Sequence, residues 1–197
     1  MDHPAWQVRP LGVDDLADLG SLFGSSRNTR SCWCTSFCSS RSQFALGWMT
    51  GRNRTRFEGM VYAGGPPMGV LASMDGTPVG WAACGPRARY LVAVGGRSRL
   101  LDGLDRSEDE SVWLVPCIFV RAEERGRGVS HALVQGAVVL AEHHGATAVE
   151  GWPVSSAEPG HSDDFVGREG VFEQAGFRRV TRPDPTRAIM RLDLPDV

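Results

Sequence analysis

The stretch Ser111–His144, SVWLVPCIFVRAEERGRGVSHALVQGAVVLAEHH, constrains this chain more than any other. Val112 to Val120 is an apolar run rich in β-branched and aromatic residues, too short for a buried helix of ordinary length, so it predicts a buried strand. The chain then turns polar from Arg121 to Glu124 and gives Arg125-Gly126-Arg127-Gly128-Val129-Ser130. Beyond that, Val129, Ala132, Leu133, Gly136, Ala137, Leu140 and Ala141 recur at helical spacing and predict an amphipathic helix that stops near His143, His144 and Gly145. Gly126 and Gly128 let backbone N–H groups approach an anion, and the helix start points its positive end at the same place. Arg125 and Arg127 add fixed charge, so strand, loop and helix together form a phosphate cradle.

A dinucleotide-binding turn is one occupant of such a cradle. Gly126-x-Gly128 opens a helix, and Glu150 follows about twenty residues on, where that turn wants an acid for the ribose. Two features oppose it: His131 stands at the third glycine position, and five residues separate Val120 from Gly126.

The loop resembles the Arg/Gln-x-x-Gly-x-Gly/Ala signature of the GNAT superfamily of acyltransferases, with Ser130 where that family prefers Gly or Ala. A second motif, Phe172-Glu173-Gln174-Ala175-Gly176-Phe177, is similar to the aromatic-x-x-x-Gly-Phe ending of that family's fourth helix. The chain also resembles a bacterial subgroup with Cys-Trp-Cys early and Pro-Cys on the central strand, here Cys32-Trp33-Cys34 and Pro116-Cys117. The resemblance implies an α+β fold with a mixed, mostly antiparallel sheet of about six to seven strands flanked by helices, its central strand pair splayed to admit a thioester arm. It also implies acetyl-CoA as cosubstrate. Backbone groups near Phe119 and Val120 would meet the pantetheine arm, and Arg125, Gly126, Arg127, Gly128, Val129 and Ser130 the pyrophosphate.

Taken in order, the chain reads as an edge strand at Trp6–Leu11, a short helix at Gly12–Phe23, and an irregular Ser-, Arg- and Cys-rich segment at Gly24–Ser42. A helix is expected over Phe44–Ala63, then a hairpin of Val70–Met74 and Thr77–Cys84 around Asp75-Gly76. Residues 87–110 break any regular element. After the central strand and helix come a strand at Thr147–Val154, a polar loop at Ala157–Asp164, a helix at Phe165–Ala175, and a closing antiparallel pair, Phe177–Arg182 with Ala188–Leu194.

Length suits one domain over residues 1–197, with room for a sizeable core. A net charge of −2 gives no reason to expect nucleic acid or an anionic membrane as partner. No signal peptide or bilayer-length apolar run is visible, so a cytoplasmic protein with reduced thiols is expected, with a homodimer allowed. All 21 basic residues are arginine.

The expected activity is transfer of an acetyl group to a primary amine on a small molecule, by direct attack. The alternative is a catalytically weak acyl-CoA-binding module. Many family members use a strand Glu as base and a helix Tyr as acid; the matching positions here are Leu114 and Phe172. Glu150 is the remaining candidate base, with pairing to an arginine such as Arg168 or Arg178 as the competing reading. Cys117 is a candidate nucleophile, with a buried inert thiol as its competitor. Cys32, Trp33 and Cys34 are expected to pack under the acceptor pocket, and the resemblance implies that the region after the first helix lines the acceptor site. Together with Cys38 the two cysteines make a poor ligand set, so no metal is expected.

Overall fold

β1 (Gln7–Pro10) forms the expected edge strand and pairs antiparallel with β2 (Gly69–Met74). Between them the chain makes α1 (Leu16–Gly24), α2 (Arg27–Cys32), α3 (Arg41–Thr50) and α4 (Arg52–Tyr62). Asp75-Gly76 turns β2 into β3 (Thr77–Pro86), both turn residues taking positive φ as a tight hairpin demands. β4 (Val112–Val120), α5 (Val129–His143), β5 (Ala148–Gly151), α6 (Glu169–Gln174), β6 (Arg178–Asp184) and β7 (Arg187–Asp193) complete the chain. This computed structural model describes residues 6–90, 104–154, 165–184 and 186–195.

The strands form one seven-stranded sheet, in the order β1-β2-β3-β4-β5-β7-β6, antiparallel except for β4 beside β5. That is the α+β architecture expected. α5 lies across β2, β3 and β4 and seals one face, where Leu133, Ala137 and Leu140 meet Val70, Val79 and Val115. On the other face Leu19, Leu22 and Phe23 of α1 and Phe57 of α4 close over Trp81 and Phe119. Each fully buried side chain of this size contributes about 1.5–3 kcal/mol, so the two layers hold the sheet between them.

Three expectations change. The helix expected over Phe44–Ala63 is two helices, because Gly51 takes φ 75 and redirects the chain. Asn53, fully buried, ties the corner by donating to the Ser31 carbonyl at 2.9 Å. The Gly24–Ser42 segment, expected as a loop or irregular helix, resolves into α2 and a separate 3-10 turn at Thr35–Phe37. The helix expected over Phe165–Ala175 shrinks to α6, because Arg168 stays extended and bridges to Val154. The polar loop Ala157–Asp164 and residues 91–103 of the 87–110 excursion lie outside the described residues.

Candidate active site

β4 is the hinge of the site. Its register with β5 runs only from Val112↔Ala148 to Val115↔Gly151, while its register with β3 continues to Gly80↔Val120. Pro116 to Val120 therefore face β5 without a paired strand. The cause is local: the β3–β4 register shifts between Ala83 and Gly85, which gives β4 an extra residue, and Pro116 at that place has no N–H for the ladder. A bulge bends its strand away, and the central pair splays.

The splayed half runs into the glycine turn. Phe119 and Val120 are buried. Gly126 and Gly128 take φ 74 and 92, and Gly128 caps α5. A Cβ at either glycine would meet nothing within 4 Å, so conformation and not space requires glycine there. Val129 is buried as the first helical residue, and Ser130 is half-buried beside it. Arg125 Nε donates to the Val120 carbonyl at 3.3 Å. Arg127 donates to Glu124 Oε2 at 2.6 Å and lies over the Trp6 ring. The arginines are thus steadied at the mouth of the turn while their side chains stay exposed or nearly so.

A cavity of about 350 Å³ opens beside the splayed half of β4. Cys117 forms its β4 wall, and Cys32, Cys34 and Phe37 come from the segment after α1. Trp48 of α3 closes one side, and Phe165 with Arg187 the other. Asn28, Thr29 and Ser36 add polar groups to a mainly apolar lining. Cys34 Sγ donates to Cys117 Sγ at 3.3 Å. Burial pushes the Cys32 thiol up to about 11 and the Cys34 thiol well above its ordinary value, the latter first through its bond to Cys117.

Trp33 lies beneath the cavity and not on its wall. Trp33 and Cys34 both take left-handed φ, 49 and 51, and that turn drives the Trp33 ring into the core against Phe23 and Phe57. It supports the cavity from behind and does not line it.

Glu150 also differs from the expected base. Its side chain is 2% exposed, with Oε1 accepting from Arg87 Nη1 at 2.9 Å and from Arg191 Nη1 at 3.4 Å. Oε2 accepts from Trp152 Nε1 at 3.2 Å. The carboxylate is fully engaged in a buried network and does not line the cavity, so the ion-pair reading fits, with Arg87 and Arg191 in place of Arg168 or Arg178. Leu114, its cross-strand neighbour, is buried with Tyr90, Trp152 and Ile189. Phe172 is fully buried and its ring lies against Gly151, so the position where an acid would stand is packing. Cys117 is bonded to a thiol and to no histidine among the described residues.

Trp48, Phe165, Val166 and Arg187 were not foreseen as lining residues. Trp48 carries a signal in retrospect: it is a tryptophan on a helix with no apolar stripe, and it stays 40% exposed.

The family model described as the acetyltransferase (GNAT) family matches residues 37–160, more than half of the chain. The chain belongs to the GNAT acetyltransferase family. Among solved structures, this GNAT chain is similar to a PaiA N-acetyltransferase from Thermoplasma acidophilum in complex with coenzyme A, at 12% identity and TM-score 0.56, over 96% of this chain and 99% of that one. It is similar to the aminoglycoside acetyltransferase AAC(6')-Ib in complex with coenzyme A, at 20% identity and TM-score 0.55, over 96% and 95%. It is also similar to the GNAT domain of S. lividans PAT, at 16% identity and TM-score 0.54, over 96% and 90%. At these identities the likeness is one of fold. No curated protein matches the sequence.

Proposed function

We propose that this GNAT protein transfers an acetyl group from acetyl-CoA to a primary amine carried on a small, largely apolar molecule. The observation that carries the reading is the continuity of three features: the backbone of Pro116–Val120, left without a strand partner on its β5 side, the Gly126/Gly128 turn at its end, and the cavity opening beside Cys117. Unpaired strand backbone suits the amide groups of a pantetheine arm, and a turn of free N–H groups at the start of α5 suits a pyrophosphate. Arg125 and Arg127 add screening charge at the same mouth. A thioester held along β4 would present its carbonyl at the cavity, where Trp48, Phe37 and Phe165 give an acceptor an apolar seat.

The chemistry is direct attack of the amine nitrogen on the thioester carbonyl. The protein's share is to hold the two reactants together and keep bulk water away. Among the described residues no carboxylate or imidazole lines the cavity, so water carries off the ammonium proton, and Cys117 shapes the wall in place of accepting the acyl group. Leu114 and Phe172 keep a second reading in play, an acyl-CoA-binding module with weak turnover.

A thermal-shift titration with acetyl-CoA tests the common premise, since a ligand that binds only the folded state must raise the melting temperature. No shift at saturating concentration overturns both readings. A panel of small amines then separates them. Acetylated product from an aromatic or aliphatic monoamine supports the enzyme, and its absence across the panel supports the binding module. Acetyl-CoA alone should leave Cys117 unmodified by intact mass; an acetylated Cys117 would replace direct attack with a ping-pong route.

A further inference from the structure

Cys34 and Cys117 reach the cavity wall from distant parts of the chain, 83 residues apart in sequence, and their sulfurs stand 3.3 Å from each other. The contact is held from both sides. Cys117 lies on β4 next to the bulge, and Cys34 is aimed at it by the left-handed pair Trp33 and Cys34. Left-handed backbone costs a non-glycine residue about 1–2 kcal/mol, and two in succession persist only where the surroundings enforce them. Here the enforcement is the Trp33 ring, clamped between Phe23 and Phe57 with the Arg54 guanidinium over it. Both thiols are over nine-tenths buried, yet both face the cavity, so a small solute that enters can touch them. No other sulfur–sulfur hydrogen bond forms among the described residues.

We propose that Cys34 and Cys117 form a reversible dithiol–disulfide site, oxidised by a small hydroperoxide entering the cavity, and that the bond shuts down acetyl transfer. The Cys117 sulfur, acceptor of the Cys34 S–H, gives up its own proton and attacks the peroxide O–O bond, giving a sulfenic acid, while the departing hydroxide takes that proton and leaves as water. The second sulfur displaces the hydroxyl from that sulfenic acid, its own proton leaving with it as water. Two S–H groups and one peroxide thus become one S–S bond and two waters, with the sulfurs oxidised and the peroxide oxygens reduced. A disulfide is about 2.05 Å long, so the sulfurs need close by only a little over 1 Å. In the reduced state both are free thiols. The bond would weld the turn after α2 to the splayed half of β4, the two walls between which the acceptor sits. Only the effect on turnover rests on the acetyl-transfer reading; the bond itself does not.

The test treats the full chain with hydrogen peroxide, blocks remaining thiols with iodoacetamide under denaturing conditions, and maps a non-reduced digest by mass. The expected result is a cross-linked peptide pair joining Cys34 to Cys117 that vanishes on dithiothreitol treatment. A rise in melting temperature should accompany it, because the bond closes a long loop of the unfolded chain. In parallel, acetylated amine formed per minute should fall at least tenfold on oxidation and return on reduction. Finding both cysteines alkylated after peroxide, or joined to other cysteines, overturns the site. A formed bond with unchanged turnover overturns its control of transfer. If no amine is ever acetylated, the cross-link is still read, so failure of the activity reading and failure of this one are distinguishable. Cys117→Ser should abolish the linked peptide; because the decisive map is made on the unaltered protein, a poorly folded variant does not remove the test.

Discussion

Arg87 and Glu150, 63 residues apart in sequence, meet in the interior at 2.9 Å, the arginine fully buried and the glutamate nearly so. Arg87 also donates through Nε to Asp109 Oδ1 at 2.8 Å and through Nη2 to the Asp105 carbonyl. The pair therefore pins both ends of the 87–110 excursion to β5, which is a positioning task. Glu150→Gln should lower the melting temperature while the pH dependence of kcat/KM keeps its shape. Removing one partner of a buried pair costs about 3–5 kcal/mol, and the remaining Asp109 contact places this change toward the low end. A lost acidic limb in the pH profile would restore Glu150 as the proton acceptor.

Gly128→Ala would put a side chain on a residue with φ 92 at the cap of α5, where nothing blocks the Cβ but the backbone resists it. The strain, about 1–2 kcal/mol, appears either as lower stability or as a turn that relaxes away from the pyrophosphate. KM for acetyl-CoA should rise roughly tenfold, as 1.4 kcal/mol implies, with KM for the amine little changed. Arg125→Ala should act in the same direction, more weakly at high salt than at low salt. Equal effects on both substrates would sink the assignment of this turn to the coenzyme.

Trp48→Ala should have the opposite selectivity. Trp48 lines the cavity, is 40% exposed, and touches Phe44 edge-on, so its loss leaves the core layers intact. An aromatic contact to the acceptor is worth about 0.5–1.5 kcal/mol, so kcat/KM for the amine should drop by roughly two- to tenfold. A thermal-shift titration with acetyl-CoA should match that of the unaltered protein.

Much of this was legible in the sequence where the relevant forces are local. The β4–loop–α5 unit declares itself because its strand is continuously apolar, its glycines are spaced for a turn, and its helix keeps one apolar face. The Asp75-Gly76 hairpin is equally local. The break at Gly51 was missed because Gly47, Gly51 and Gly59 all stand within helical composition, and a glycine there reads the same whether it continues or turns the helix; the buried Asn53 contact that decides it is made to Ser31. The cavity wall was only half legible. Cys32 and Cys34 both line the cavity, but the left-handed turn at Trp33, which sends that ring into the core and Cys34 toward Cys117, depends on Phe23 and Phe57 from other helices. Glu150 looked poised for chemistry because a carboxylate amid apolar neighbours is ambiguous until its partner is seen, and Arg87 lies across a stretch with no readable element.

The buried thiols predict an alkaline limit. Burial pushes Cys38 and Cys84 up to about 12 and Cys32 to about 11, from an ordinary 9.0, by penalising the thiolate. Burial moves the Tyr90 hydroxyl well above its usual range in the same sense. In the unfolded chain these groups lose their protons near their ordinary values, while the folded chain holds them. The unfolded state therefore binds fewer protons above pH 9, and stability falls as pH rises. The contribution is whole below about pH 9 and lost progressively through about pH 11–12. Melting temperature under reducing conditions should be flat from pH 7 to about pH 8.5 and then decline. Iodoacetamide modification of the folded protein at neutral pH should be slow for Cys84 and fast once denaturant is added. A melting temperature that stays level to pH 11 would show that these thiols meet water in the folded state.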